Sequence, residues 1–400
     1  MQKISAFIIM ALAVLLAGCN SYSPVAITTG PVRSLERDNQ DQLAFYFLPR
    51  TAIAIDVVVT ETIERPGPYA AYASRYLGLG NVIMEPSRSY EISSVTISNY
   101  VEPDPDQVYY VSIPETSEDE QARFLMSLSE SGLLYSFNKV YEDGEFDKSL
   151  TKSHDVGHFG TEATFNYFID TNLKEQIDTI IEHVMLDTIT IQRETLRSSW
   201  VEKSDERRAS EVAEYILELR EKKFDLISGF QEINYSKEAL EYMYGEMDSM
   251  ENDYLDLFTG ITASDTIRYR FMHTPQKENI ISRQALFHFS SSEGILPEGN
   301  TDGLPVTIAY ERSKTTDHLD RHLRQRTGRV DEKSKGFHYR IPEYADLTVF
   351  IGDMTRAEAR MLINQFGVVS PLPSEDLKIE FHPQTGSIKS VGFIREEKKE

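Results

Sequence analysis

The chain contains one cysteine, Cys19, so no intramolecular disulfide can hold it together. A chain of 400 residues without disulfides has to fold around ordinary hydrophobic cores, and this length is sufficient for about two or three of them. A single thiol also excludes zinc sites built from several thiolates. We therefore expect apolar packing alone to hold the folded body together.

The residues before Cys19 have the features of a secretory signal. Lys3 is followed by an apolar run from Ile4 to Leu16, and Ala17 and Gly18 come directly before the cysteine. The run is too short for a permanent transmembrane helix. This order predicts a lipoprotein signal peptide over residues 1–18 and a lipidated Cys19 that carries palmitate or similar acyl chains. The alternative is an uncleaved anchor with an idle thiol.

The charge balance is strongly acidic, with 64 Asp and Glu residues against 41 Lys and Arg and a net charge of -23. This excess argues against a nucleic-acid partner, because phosphate binding needs a basic patch. It also argues against adsorption to anionic lipid, so the lipid on Cys19 is the expected link to the membrane. Since residues 20–23 contain no acidic run, we expect the body to face the periplasm from the outer membrane, with surface exposure as the alternative.

Hydrophobic periodicity predicts an α+β fold. Alternating apolar residues over Ile53–Val59 indicate a strand, and a three-four spacing over Leu240–Leu257 indicates a helix packed on another helix. The C-terminal part returns to short alternating segments, which is typical of a β-sandwich. The predicted organisation begins with a lipidated N-terminus and polar tether over residues 19–42. A strand-rich α+β domain follows over residues 43–204, then an antiparallel helical hairpin over residues 205–260. A C-terminal β-sandwich-like domain covers residues 261–400.

Several shorter elements follow from the same patterns. Apolar residues over Leu173–Val184 have helical spacing, and residues 188–201 alternate as a strand that contains Trp200. Strands are predicted at residues 90–97 and 108–113, with a turn between them. Residues 355–366 fit either a capped helix or a strand, and we favour the strand.

Several blocks of the sequence form a familiar set: Pro66–Ala73, Tyr76–Leu79, Leu219–Gly229, Leu257–Gly260, Tyr339–Pro342, Gln365–Gly367 and Phe381–Val391. These blocks resemble an uncharacterised family of Gram-negative cell-envelope lipoproteins, catalogued as domain of unknown function 4831. The resemblance implies an envelope location and no reaction, and it carries no catalytic residues.

No residue pattern indicates catalysis. The chain lacks a Gly-x-Ser-x-Gly elbow and a P-loop, and we predict no cofactor. Two histidine pairs, His154 with His158 and His318 with His322, have helical spacing, but neither has an intervening glutamate. We interpret them as solvated or hydrogen-bonded histidines and predict no metal site.

Aromatic residues are the remaining candidates for contacts with a ligand or partner. Tyr69, Tyr72 and Tyr76 share one face of a predicted short helix, and Trp200 is the only tryptophan. Such rings stack against sugars or anchor protein partners, although they also serve as core residues. The sequence therefore predicts a non-catalytic binding or assembly protein of the cell envelope. The alternative is a protein that binds or hydrolyses glycans.

Overall fold

The computed structural model describes residues 28–34, 42–113, 126–137, 164–166, 172–186, 189–229, 235–277, 283–327, 334–335, 337–372, 377–382 and 385–393. Cys19, the signal segment and the pair His154 and His158 lie outside these residues. The described part is rich in antiparallel strands and also contains helices. The broad α+β prediction is confirmed.

Two five-stranded antiparallel sheets face each other around the largest core. The first has the strand order β12-β1-β3-β2-β8, and the second has the order β10-β9-β11-β13-β14. The strands of the first sheet are β1 (Thr28–Pro31), β2 (Gln42–Arg65), β3 (Ser87–Ile113), β8 (Ile261–His273) and β12 (Ser334–Lys335). Those of the second are β9 (Gln284–Ser290), β10 (Gly294–Ile295), β11 (Leu304–Arg312), β13 (Phe337–Ile351) and β14 (Met354–Leu372).

A smaller sheet and a separate pair of strands complete the β-structure. The third sheet has the order β16-β15-β5-β4, and β6 and β7 pair only with each other among the described strands. The bounds are β4 (Met126–Leu128), β5 (Leu134–Phe137), β15 (Leu377–Phe381), β16 (Ile388–Phe393), β6 (Leu173–Leu186) and β7 (Ile189–Glu202). β15 and β16 pair as an antiparallel hairpin near the C-terminus.

The helices include the predicted antiparallel hairpin. A 3-10 turn at Ala70–Tyr72 leads into α1 (Ala73–Leu77), and the hairpin consists of α2 (Asp205–Ser228) and α3 (Lys237–Thr259). A further helix, α4, covers Asp317–Thr327. Ser236 caps α3, because its hydroxyl accepts a hydrogen bond from the Ala239 N–H at 3.3 Å.

The first core combines side chains from distant parts of the chain. Ile53, Ile55 and Val57 of β2 are fully buried against the second sheet, as their alternation predicts. The strand β8 pairs with β2 over its whole length, from Ile53 opposite His273 to Arg65 opposite Ile261. The predicted boundary at residue 260 thus falls between α3 and β8. The first core contains side chains from both sides of that boundary.

Two further cores hold the third sheet and the helices. The second lies between the third sheet and the ends of the long strands, with Tyr46, Phe137 and Phe337 at its centre. The third joins α1 to the helical hairpin through Tyr69, Ile216, Tyr254 and other residues. All three cores are apolar, so burial of hydrophobic side chains stabilises the body, as expected for a chain that has no disulfides.

The structure corrects two predicted elements. Residues 173–184 form part of strand β6 instead of a helix, because a spacing of four residues also keeps side chains on one face of a strand. The turn predicted between residues 97 and 108 is also wrong, since β3 continues through Pro103. Pro103 lies opposite Pro49 at a register shift, where a strand tolerates proline. Residues 355–366 lie in β14, so the preference for a strand there is confirmed.

Candidate functional site

Three of the four aromatic candidates pack against the helical hairpin. Tyr69 is buried, its ring centroid lies 5.6 Å from that of Phe258, and its N–H donates to the carbonyl of Leu257 at 2.9 Å. Tyr72 and Tyr76 are half-buried, with ring centroids 6.3 Å apart. These rings join α1 to the hairpin, as aromatic residues commonly do in cores.

Trp200 has a different environment, because 67% of its surface is exposed. It lies on β7 near the end of an isolated pair of strands, which we call the ribbon: β6 (Leu173–Leu186) and β7 (Ile189–Glu202). A two-stranded sheet by itself is at best marginally stable in water. Its residues 172–183 and 192–198 are all exposed, so the body does not cover this part of it.

The base of the ribbon is fixed to α2 by hydrogen bonds. The Lys203 N–H donates to the Asn172 carbonyl at 2.8 Å, and Arg208 Nη1 donates to Asn172 Oδ1 at 2.8 Å. Ser204 caps α2 by accepting from the Arg207 N–H at 3.3 Å. The ribbon and the helical hairpin are therefore connected without a flexible linker.

An ion pair reinforces this connection. Lys203 Nζ lies 2.5 Å from Oε2 of Glu211, a residue in the second turn of α2. The hydrogen bond from Lys203 lowers the pKa of Glu211 against the opposing effect of burial, and Arg207 adds to the lowering. Glu211 is therefore charged at neutral pH, where the ion pair holds the start of α2 to the ribbon.

One face of the ribbon is apolar. Leu173, Ile177 and Ile181 follow one another at every fourth residue of β6, so their side chains share a face. Leu196 and Trp200 are opposite Thr179 and Glu175, which places them on the same face in diagonal positions around Ile177. Five large apolar side chains thus form one surface, with exposed fractions between 48% and 69%. All of them lie on the ribbon and are exposed.

This surface, the apolar face, points away from the body. Ser199 and Val201 on the opposite face are half-buried, whereas Trp200 between them is mostly exposed. Burying one such large apolar side chain contributes about 1.5–3 kcal/mol. A partner that covers the apolar face would therefore gain several kcal/mol of hydrophobic burial free energy.

The edges of the ribbon are open as well. Neither β6 nor β7 pairs with a third strand in the described part of the chain. Exposed edges offer backbone N–H and C=O groups to another chain, and proteins commonly protect such edges. An apolar face and two open edges together are typical of a surface that a partner covers.

A comparison with protein families matches a segment of the chain that contains the ribbon. A family model described as a domain of unknown function, DUF4831, matches residues 44–389. The chain belongs to this family. The resemblance expected from the sequence is confirmed, and the matched DUF4831 segment begins after Cys19 and includes the ribbon. Searches of the curated proteins and of the solved structures found no match.

A small cleft in the DUF4831 fold does not have the features of an active site. It lies beside the third sheet, is lined mainly by apolar side chains with His338 and His382, and has room for about one water molecule. Its described lining contains no carboxylate. It therefore lacks the pair of acids that glycosidic hydrolysis requires.

The buried charges in the described residues are paired within the protein. Glu343 is fully buried and accepts hydrogen bonds from Arg312 and from Thr316, each at 2.6 Å. Burial opposes the charged form of Arg312, but Glu343 and Asp317 outweigh it and raise the pKa of the guanidinium. This arrangement stabilises the junction of β11, β13 and α4.

The described residues also contain no group of three or more metal-ligating side chains placed to hold an ion. His318 lies on α4 with its Nδ1 2.9 Å from Arg321 Nη2, in agreement with a hydrogen-bonded histidine. In the same part of the chain, no helix has the length and hydrophobicity needed to cross a bilayer.

Sequence reasoning found Trp200 but missed the rest of the apolar face. Leu173, Ile177 and Ile181 were assigned to a helix, so their relation to Trp200 across two strands was lost. The β-branched residues of this segment, Ile177, Thr179, Ile180 and Ile181, are the signal that favoured a strand.

Proposed function

We propose that this DUF4831 protein is a lipid-anchored protein of the cell envelope that binds another envelope protein and has no catalytic activity. The observation that supports this proposal is the apolar face of the ribbon. Apolar side chains that share an uncovered surface on a rigid support are typical of protein-binding sites.

The lipid anchor is proposed from the sequence around Cys19. A diacylglycerol group and a further acyl chain supply the two hydrophobic anchors that stable attachment requires. The acidic body then remains in the aqueous phase beside the outer membrane, facing the periplasm. Labelling cells with palmitate tests this step, since Cys19→Ser should lose the label and leave the membrane fraction.

In this proposal the helical hairpin over residues 205–260 supports the ribbon, and the segments 43–204 and 261–400 supply the sheets of the body. The hydrogen bonds of Asn172 to Lys203 and Arg208 fix the ribbon relative to α2. A binding surface on a rigid support loses less conformational entropy on association than one on a mobile loop.

Photo-cross-linking in cells tests the binding function. A photoreactive residue replaces Thr179, which lies on the apolar face opposite Leu196. The matched control replaces Thr195, an exposed threonine that lies opposite Ile180 on the other face. We expect a discrete protein adduct from position 179 and much less from position 195. Equal adducts, or none from either position, would contradict the proposal.

A second candidate function is glycan binding, which the exposure of Trp200 favours because an indole ring can stack on a sugar. Soluble envelope oligosaccharides would then change the fluorescence of Trp200 in the full mature chain. If they do so and position 179 gives no protein adduct, glycan binding replaces protein binding as the proposed function.

A further inference from the structure

The two faces of the ribbon differ in charge as well as in polarity. The apolar face carries three exposed carboxylates, Glu175, Glu194 and Glu202. Among residues 173–183 and 192–202 it carries no lysine or arginine. The Ser198 hydroxyl donates to Glu175, which agrees with their placement on one face.

The opposite face has mixed charges that match each other. Asp178 lies directly opposite Arg197, and Glu182 lies directly opposite Arg193. Opposite charges in direct cross-strand positions stabilise a sheet. The acids of this face therefore have cations beside them on the ribbon, whereas those of the apolar face have none on their own face.

We infer that the apolar face binds a polypeptide segment that presents both apolar and basic side chains. This inference rests on the proposed binding function and adds the chemistry of the partner. Lysine or arginine side chains of the partner would pair with Glu175, Glu194 and Glu202, while its apolar side chains cover Ile177, Leu196 and Trp200. Such charge complementarity determines which partners are accepted more than it determines how tightly they bind.

The spacing of the acids suits an extended partner. Along β6, Glu175 lies between Leu173 and Ile177 on this face, about 7 Å from each. Along β7, Glu194 lies next to Leu196 and Glu202 next to Trp200 at the same interval. In an extended partner segment, every second side chain lies on the same face, and these side chains are also about 7 Å apart. Its basic and apolar side chains can therefore meet their counterparts in register.

A second copy of this chain is a poorer occupant. Two apolar faces brought together would place their carboxylates in one interface without any lysine or arginine from that face. The net charge of -23 adds a general repulsion between copies. An anionic membrane surface is disfavoured for the same reason.

Trp200 provides a direct measurement, because it is the only tryptophan of the whole chain and lies on the apolar face. The full mature protein is titrated with a short peptide in which every second residue is serine and the residues between them are alternately lysine and valine, so that both share one face of the extended chain. It is titrated separately with the same peptide carrying glutamate in place of lysine. We expect the lysine peptide to shift the emission of Trp200 to shorter wavelength and to protect it from iodide quenching. The glutamate peptide should do neither.

Charge variants test whether the carboxylates cause the difference. The triple variant Glu175→Gln, Glu194→Gln and Glu202→Gln should weaken binding of the lysine peptide by about tenfold. The matched control, Asp178→Asn with Glu182→Gln on the opposite face, should bind as the unchanged protein does. Raising the salt concentration from about 50 mM to about 500 mM should weaken binding to the unchanged protein and affect the triple variant little.

The outcomes separate this inference from the proposed function. If both peptides or neither change the emission, or if the triple variant binds as well as the control, the inference is wrong. Should position 179 still give a protein adduct in cells in that case, the binding function stands and its partner is recognised by apolar contact alone. Loss of the adduct as well would overturn both. A blue shift with vesicles of anionic lipid, and with no peptide, would assign the face to membrane contact and also overturn the inference.

Discussion

Arg340 and Asp104 form a buried ion pair between strands that are 236 positions apart in the sequence. Arg340 Nη2 lies 3.0 Å from Asp104 Oδ2, and Arg340 Nη1 donates to the carbonyl of Pro49 at 2.8 Å. The pair joins β13 to β3 beside the register shift of the long strands. It shows how the two halves of the chain are held in one body.

Removing one partner of this pair should destabilise the fold. Asp104→Ala leaves the Arg340 charge buried with only a carbonyl partner, and breaking such a pair costs about 3–5 kcal/mol. Urea unfolding followed by circular dichroism measures the loss in the free energy of unfolding. The control is Asp353→Ala, which removes the fully exposed partner of Arg283 and should change stability by less than about 1 kcal/mol. Similar losses in the free energy of unfolding of both variants would contradict the claim that burial makes the Arg340–Asp104 pair important for stability.

His338 should make the fold sensitive to mild acid. Burial against Tyr109, whose ring centroid lies 4.7 Å away, lowers the pKa of His338 to about 4 from the ordinary 6.5. The unfolded chain therefore takes up a proton more readily than the folded one. The free energy of unfolding should be fully retained above pH 6.5 and should fall by roughly 2–3 kcal/mol as the pH drops to about 4.

The variant His338→Phe tests this pH dependence. It keeps an aromatic ring beside Tyr109, and the hydrogen bonds that Tyr46 makes to the backbone of residue 338 do not depend on the side chain. Urea midpoints measured between pH 7 and pH 4 should decrease less for the variant than for the unchanged protein. Parallel decreases would assign the acid sensitivity to other groups.

Gly67 should be necessary for docking the tyrosine-bearing turn onto the helical hairpin. A Cβ atom at this position would lie 2.2 Å from the carbonyl oxygen of Leu257, which is backbone and cannot move aside easily. Gly67→Ala should therefore lower the free energy of unfolding by about 1–3 kcal/mol. Gly80→Ala is the matched control, since its Cβ would meet no atom within 4 Å, and it should have little effect in the same urea experiment.

The local patterns of the sequence predicted the helical hairpin and many of the strands. The buried seam of Val212, Ile216 and Leu219 and the alternation of Ile53–Val59 each have one period, so their structure could be predicted. Residues 173–184 could not be assigned in this way, because Leu173, Ile177 and Ile181 fit both periods. The pairing with β7 decides between them, and within the segment only its β-branched residues favour a strand.

The arrangement of the sheets depends on contacts between distant residues. Val57 pairs with Tyr269, and Arg340 pairs with Asp104, over separations of more than 200 positions. Neither contact leaves a periodic signal in the sequence. For the same reason the candidate site was recognised only through Trp200, while its apolar neighbours and acidic residues became visible once the register of β6 and β7 was known.

The most direct test of the account compares two isoleucines on opposite faces of the ribbon. Ile177 lies on the apolar face and Ile180 on the other, and both are exposed, so Ile177→Asp and Ile180→Asp introduce the same charge at similar cost to the fold. Each variant carries the photoreactive residue at position 179 and is cross-linked in cells. We expect Ile177→Asp to reduce the protein adduct by about tenfold or more, as for a central interface residue, and Ile180→Asp to retain it. Equal adducts from the two variants would contradict the claim that the apolar face binds a partner.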